Sequence, residues 1–101
     1  MPNINIIENL PSSKEKPSTL VVSNSDKHLT IAIRLMSGQV LKKHMSPTPA
    51  MIVVLKGAIK FEMAGITSML KELNTFEIPA TVPHEVTGLE ESIFLLIKDK
   101  V

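Results

Sequence analysis

The chain has 101 residues, and its 11 Lys plus Arg against 10 Asp plus Glu leave a formal charge of +1. That length fits one globular domain. A protein that binds nucleic acid needs a basic stripe, and the lysines here are scattered among acidic residues, so a nucleic-acid partner is not expected. There is no cysteine, so disulfides and thiolate chemistry are excluded. No apolar run approaches the roughly 20 residues that span a bilayer, and residues 1–11 lack the pattern of a signal peptide, so we expect a cytoplasmic protein without a membrane partner.

Apolar alternation and turn residues predict eight or nine short strands and no substantial helix. Residues 66–70 are ambiguous, because residues 68–73 could form a helical turn instead. A strand is preferred, since six residues without a packing partner make an unstable helix. The predicted strands cover residues 19–22, 28–36, 39–46, 51–55, 58–63, 66–70, 76–78 and 92–98, with one more after His84. Residues 1–9 contain a further short strand candidate, for which an arm that packs on the body is the alternative.

The clearest strand is the run 28–36, whose alternate apolar residues share one face at the two-residue period of a strand. His28 in this run is expected at the surface. The pattern does not fix the direction of Arg34, for which the surface is also preferred. Turns every eight to twelve residues are typical of barrels and sandwiches, so we predict one all-β domain over 1–101, with an arm and loop (1–18) before a barrel (19–101).

Two predicted strands, Met51–Leu55 and Ile93–Ile97, are apolar on both faces. Such strands need cover on the outside of the sheet as well as on the inside. A second subunit is the preferred cover, which makes a homodimer the expected state. The N-terminal arm is the alternative, and both together are compatible with the pattern.

Two segments of the chain carry a spaced motif. The first begins with a glycine, has a histidine after five intervening residues, and ends with a second glycine. The residues at its spaced positions are Gly38, His44, Ser46, Ala50 and Gly57. The second has a proline, a small residue and a histidine: Pro79, Thr81 and His84. Together they resemble the two motifs of the cupin superfamily, and of its small single-domain members in particular.

The resemblance implies a double-stranded β-helix, or jelly-roll barrel, in which three histidines and a glutamate hold a divalent metal. This chain departs from that set, because Ser46 replaces the second histidine and Ala50 replaces the glutamate. Alternation directs Glu62 and Glu85 away from the barrel interior, so neither is expected to substitute. We therefore expect no cofactor, or a divalent metal held weakly by His44 and His84 alone.

The same positions predict a ligand pocket inside the barrel. Strand alternation places His44 and Ser46 on one face, and His84 would meet them from another strand. The predicted pocket consists of His44, Ser46, His84, Met36, Ile52, Val54, Phe61 and Phe94. It suits a small molecule with one polar or anionic end. The alternative is that each histidine is an ordinary core residue, hydrogen-bonded to backbone.

Three functions are compatible with these features. The preferred one is binding of a small molecule by a metal-free or weakly metal-binding barrel. The second is a cupin enzyme, dioxygenase-like or isomerase-like, that uses His44 and His84. The third is a structural or regulatory module in which the pocket is vestigial and the apolar strands serve association.

Overall fold

A computed structural model describes residues 3–100 of the chain. They form nine β-strands: β1 (Ser18–Asn24), β2 (His28–Leu35), β3 (Val40–His44), β4 (Ala50–Lys56), β5 (Ala58–Met63), β6 (Ile66–Lys71), β7 (Thr75–Ile78), β8 (His84–Gly88) and β9 (Ser92–Asp99). No helix among residues 3–100 is long and apolar enough to cross a membrane.

The strands make two antiparallel sheets. Sheet A has the order β1-β2-β9-β4-β7, and sheet B has the order β3-β8-β5-β6. The prediction of an all-β jelly roll is confirmed, including β6, where the strand and not the helical turn is found. The hairpin β5–β6 pairs Ala58 with Lys71 and Met63 with Ile66, so the register fixes which side chains face inward.

Apolar side chains from both sheets fill the space between them. Ile52 and Val54 of β4 meet Phe61 of β5 and Phe94 of β9, and all four are at most 1% exposed. Because successive residues of a strand point to opposite faces, each strand contributes alternate residues to this interior. The side of each sheet that faces it is called the inner face below.

The strand predicted within residues 1–9 is wrong for the described part, because residues 6–9 form a turn. Asn5 Oδ1 accepts a hydrogen bond from Glu8 N at 3.0 Å, and Asn9 N reaches Asn5 O at 3.2 Å. An asparagine followed three residues later by glutamate is a signature of a helical turn. The adjacent Ile6 and Ile7 also break the strand alternation. Met1 and Pro2 lie outside the described residues.

The arm covers part of the outer face of sheet A. Leu10 is fully buried and packs with Ala32 of β2 and Ile93 of β9 in a second apolar cluster. Arg34 lies on this outer face, where its guanidinium pairs with Glu91 and donates to Leu10 O at 2.7 Å. The arm therefore covers the side of β9 that faces β2.

Gly57 joins β4 to β5 with a φ of +77°, the left-handed conformation that glycine adopts without strain. A Cβ at this position would lie 2.3 Å from Glu91 O and 2.6 Å from Ser92 Oγ. Ser92 is fully buried, and its hydroxyl donates to Ala58 O at 2.8 Å. The hairpin thus depends on glycine for space as well as for backbone freedom.

We expect Gly57→Ala to destabilise the fold more than Gly38→Ala. Gly38 has a similar φ of +84°, but nothing lies within 4 Å of its would-be Cβ, so its substitution carries the backbone cost alone, about 1–2 kcal/mol. The clash at Gly57 should add about 1–3 kcal/mol. Urea unfolding measures the free energy of unfolding of both variants. An equal decrease in the two would contradict the prediction, because it would mean that the backbone near Glu91 and Ser92 moves to accept the added Cβ at little cost.

Candidate functional site

Strands β3 and β8 bring His44 and His84 together at one end of the barrel. The two residues are register partners, next to a β-bulge between Leu41 and His44. Their rings lie 4.2 Å apart in an edge-to-face arrangement, and the ring of Phe61 stacks on His84 at 5.6 Å. His84 is 3% exposed, whereas His44 is half-buried. This end of the barrel is called the mouth below.

Backbone carbonyls fix the orientation of both imidazoles. His44 Nδ1 lies 2.8 Å from Lys42 O, and His84 Nδ1 lies 3.0 Å from Val82 O. Since a carbonyl can only accept, each Nδ1 carries a hydrogen and donates it. The two Nε2 atoms then face each other at 3.1 Å. With both rings neutral, two lone pairs would oppose each other, so a hydrogen bond requires one imidazolium.

Burial lowers the pKa of His84 below its ordinary value of 6.5. The Val82 carbonyl raises the pKa of this imidazole, and the nearby charges of His44 and Lys98 lower it. His84 is therefore the neutral acceptor of the pair.

A strained loop delivers His84 to the mouth. Thr81, between Pro79 and His84, has a φ of +64°, which is unusual for a β-branched residue and costs on the order of 1–3 kcal/mol. Its amide donates to Ser46 O at 2.8 Å. The loop that follows β3 is thereby joined to the loop that precedes β8.

The structure ties Ser46 to its own loop. Strand β3 ends at His44, so the alternation that predicted Ser46 on the same face does not extend to it. The Ser46 hydroxyl accepts from Thr48 N and lies near Thr48 Oγ1, each at 3.3 Å. The approaching Pro47 explains the early end of the strand, because proline cannot continue a ladder.

The other predicted pocket residues lie deeper or at the far end of the barrel. Ile52, Val54, Phe61 and Phe94 pack against one another in the core. Met36 lies beside Gly88, the last residue of β8, since a Cβ on Gly88 would contact Met36 O. His84 begins the same strand, so Met36 is about 13 Å away along β8.

Lys98 is a residue of the mouth that the sequence patterns did not single out. It lies on the inner face of β9 with Phe94 and Leu96, and opposite the buried Ala50 of β4. The alternation Phe94-Leu96-Lys98 could have revealed it, because a lysine at the end of an apolar stripe keeps that stripe's direction. The mouth therefore holds three nitrogen groups, from His44, His84 and Lys98.

Two cavities lie on the outer surface of the barrel, and neither has His44 or His84 in its walls. One, of about 590 Å³, is a groove on the outer face of sheet A, with Met51 and Ile97 among its walls. The other, of about 340 Å³, lies by Glu62 and Glu85, which oppose each other on β5 and β8. Both carboxylates point away from the inner face, as their alternation predicts.

Comparison with solved structures gives close matches in shape. A cupin superfamily protein from Desulfitobacterium hafniense superposes with a TM-score of 0.87 at 12% identity, covering 97% of this chain and 90% of the other. An RmlC-like cupin protein from Desulfovibrio desulfuricans gives 0.87 at 20% identity, with 98% and 96% covered. The chain has the cupin fold.

A third match in shape is a conserved protein of unknown function from Streptococcus pyogenes. Its TM-score is 0.86 at 21% identity, and the superposition covers 99% of this chain and 88% of that one. No family model matches the sequence, and no curated protein matches it. Because these identities are 21% or lower, the matches establish the fold of the chain and nothing about its activity.

The turn between β6 and β7 contains a residue with an unfavourable backbone conformation. Leu73 takes a φ of +67° and is 83% exposed. This is the left-handed region that glycine adopts without strain, so Leu73 carries a backbone cost there.

The donor set does not fit the metal site of the cupin motif. His44 and His84 supply two imidazole nitrogens, Ala50 has no donor in its side chain, and the Ser46 hydroxyl is bonded within its loop. Among residues 3–100 there is no group of three or more His, Cys, Asp or Glu side chains placed to hold a metal. Protein metal sites usually have at least three protein ligands.

The lowered pKa of His84 predicts a pH dependence of stability. Between the folded pKa and 6.5 the unfolded state binds more protons, so the free energy of unfolding should fall as pH falls below about 6.5 and stay level above. The slope for one proton is at most about 1.4 kcal/mol per pH unit.

Urea unfolding between pH 5 and 7.5 measures this slope. We expect His84→Asn to remove most of it. His28→Asn is the matched control, because His28 is exposed and paired only with Asp99 at 3.3 Å, and it should keep the wild-type slope. Equal slopes in wild type and His84→Asn would contradict the assignment of His84 as the neutral partner.

Proposed function

We propose that this protein binds a small molecule at the mouth of its barrel and needs no metal to do so. The observation that supports it is the convergence of the His44 and His84 Nε2 atoms at 3.1 Å while both Nδ1 atoms are held by carbonyls. Polar groups fixed in this way are a common feature of small-molecule sites, because little ordering is needed on binding.

The two histidines differ in burial and therefore have different roles in the proposed site. The His84 imidazole lies on Phe61 and is closed off from solvent, so it orients its partner. His44 is half-buried, so of the two rings it is the one that a ligand could contact from solvent. The loop of Ser46, joined to Thr81, borders the same opening. The packed side chains of Ile52, Val54 and Phe94 would form the floor beneath the site, with Met36 too distant to take part.

A thermal-shift screen of small carboxylic acids, amides, sugars and amines tests this proposal. We expect at least one class to raise the Tm of the wild type and to lose most of its effect in His44→Gln. His28→Gln is the matched control, because His28 borders the groove on the outer face of sheet A. A response equal to that of the wild type assigns binding to the mouth and not to this groove. Addition of EDTA should leave the shift unchanged, since binding needs no metal.

Two results would count against the proposal. A shift that EDTA abolishes would favour the metal-dependent alternative over metal-free binding. No shift with any class, in a protein whose Tm is otherwise well defined, would favour a vestigial site.

We further propose that the uncovered part of sheet A pairs with a second copy of the chain. The arm covers the β2 side of β9, whereas Met51, Val53 and Ile97 remain half-exposed beyond it. Met51 and Ile97 border the groove of about 590 Å³, which is mainly apolar in its walls. Burial of such a surface stabilises association by about 25 cal/mol per Å² of apolar area.

We expect Met51→Glu to weaken the dimer by about tenfold or more, because a carboxylate would be buried at the contact. Met69→Glu is the matched control, since Met69 is 57% exposed on β6 of the other sheet. Sedimentation velocity across a dilution series measures both. A wild-type protein that is monomeric at every concentration would contradict the homodimer.

A further inference from the structure

The two sheets end in four edge strands, and three of these carry features that hinder pairing with a further strand. Both β1 and β3 contain a β-bulge, and β3 also carries Lys42 and Lys43. Strand β7 is only four residues long and stops before Pro79. Bulges, charges, proline and short length are the usual protections of an edge. In contrast, β6 has an unbroken register and no charged residue from Ile66 to Leu70.

The turn between β5 and β6 determines which backbone groups of β6 point to the edge. Both residues of this turn have a positive φ, +51° and +76°, which is the pattern of a two-residue type I′ hairpin. In such a turn the N–H of Ile66 bonds to Met63 O, toward β5. The direction alternates along an antiparallel ladder, so the N–H and C=O groups of Thr67 and Met69 point away from β5.

This outward-pointing stretch is bounded at both ends. The next outward-pointing residue, Lys71, is bonded to Asn74: its N–H donates to Asn74 Oδ1 at 2.8 Å, and its C=O accepts from Asn74 N at 2.9 Å. At the other end the chain turns at Gly65. Thr67 and Met69 therefore offer two donors and two acceptors, and no loop backbone among residues 3–100 pairs with them.

Exposed apolar side chains and one cation accompany these backbone groups. Ile66, Met69 and Leu73 are each more than half exposed. The ammonium of Lys71 is also exposed, and no ion pair among residues 3–100 involves it. Met69 and Lys71 are two residues apart on the strand, so both side chains lie on the outer face of sheet B. A strand laid along β6 would thus meet an apolar position followed by a cationic one.

We propose that β6 binds an extended segment of another protein, which adds to sheet B as an antiparallel strand. This inference concerns the edge of sheet B and is independent of the histidine pair. The residues of the segment opposite Thr67 and Met69 would each exchange two hydrogen bonds with them. Cross-strand pairing then favours an acidic residue opposite Lys71, an apolar residue opposite Met69 and a β-branched residue opposite Thr67, at alternate positions of the segment.

A second copy of this chain fits the same edge less well. A two-fold axis through Ser68 would pair Thr67 of one copy with Met69 of the other and would use the same backbone groups. It would also bring Gly65 of the other copy opposite Lys71, so the ammonium would gain no counter-charge. A segment with an acidic residue at that position supplies the charge.

A capped peptide with the sequence Glu-Val-Val-Thr-Thr tests the proposal, because its glutamate would lie opposite Lys71 and its last threonine opposite Thr67. Binding is followed by the backbone amide signals of the protein in NMR titrations. We expect the largest shifts at Thr67 and Met69. Methylation of the amide nitrogen of the third residue, which would donate to Met69 O, should weaken binding about tenfold. The matched control is methylation at the fourth residue, whose N–H would point away from β6, and it should keep the affinity.

Two variants of the protein assign the binding to β6. Met69→Pro removes a donor that points to the edge and costs no bond to β5, so the fold should be retained and the peptide affinity should fall about tenfold. Lys71→Glu should weaken the peptide about fivefold and strengthen the same peptide with lysine in place of glutamate. Lys27→Glu is the matched control, because Lys27 is an exposed cation before β2, and it should bind both peptides like the wild type. The NMR spectra also show whether each variant is folded.

Three results would overturn the proposal. Equal affinity of the two methylated peptides would exclude strand addition, and the absence of any shift at β6 with the unmethylated peptide would exclude this edge as the site. Sedimentation velocity without peptide gives the third: an assembly that Met69→Pro dissociates would show that β6 pairs copies of this chain. None of these results bears on binding at the mouth, which the thermal-shift screen tests separately.

Discussion

The closure of two antiparallel sheets over one apolar interior is the constraint on which every other feature of this protein depends. Once Ile52, Phe61 and Phe94 face inward, the two-residue period of each strand decides the direction of all its neighbours. It directs Lys98 into the mouth, along the stripe of Phe94 and Leu96, and it directs Glu62 and Glu85 to the outside. The charge of the site is therefore a consequence of how the core is packed.

Burial of the histidine pair costs free energy, and hydrogen bonds hold both of its rings in a fixed orientation. His84 is taken out of water against Phe61, which opposes its protonation and lowers its pKa. The carbonyls of Lys42 and Val82 hold the two rings, so the remaining nitrogens can only face each other. The strained Thr81 turn fixes the end of β8 to the loop after β3. These contacts maintain a polar pair where a hydrophobic pair would pack more easily.

The outer face of sheet A is covered by the arm in one part and left uncovered in another. Leu10 and the Arg34 contacts attach the arm over Ile93, so part of the apolar surface of β9 is covered within the chain. Met51 and Ile97 border a groove that is not lined by any described residue of the arm, 3–18. The two covers weighed from the sequence are thus not exclusive, because they concern different parts of one sheet.

The sequence by itself determined the strands, the hairpin at Gly57 and the motif spacing that brings His44 and His84 together, because these follow from local alternation and turn chemistry. It also showed the loss of ligands at Ser46 and Ala50. The turn in the arm was also marked locally, by the spacing of Asn5 and Glu8. Only the tertiary structure decided that Met36 lies at the far end from His84 and that Lys98 joins the mouth. Those features depend on which strands are neighbours and where each one ends, and pairing between distant segments, such as β4 with β9, leaves no local mark in the chain.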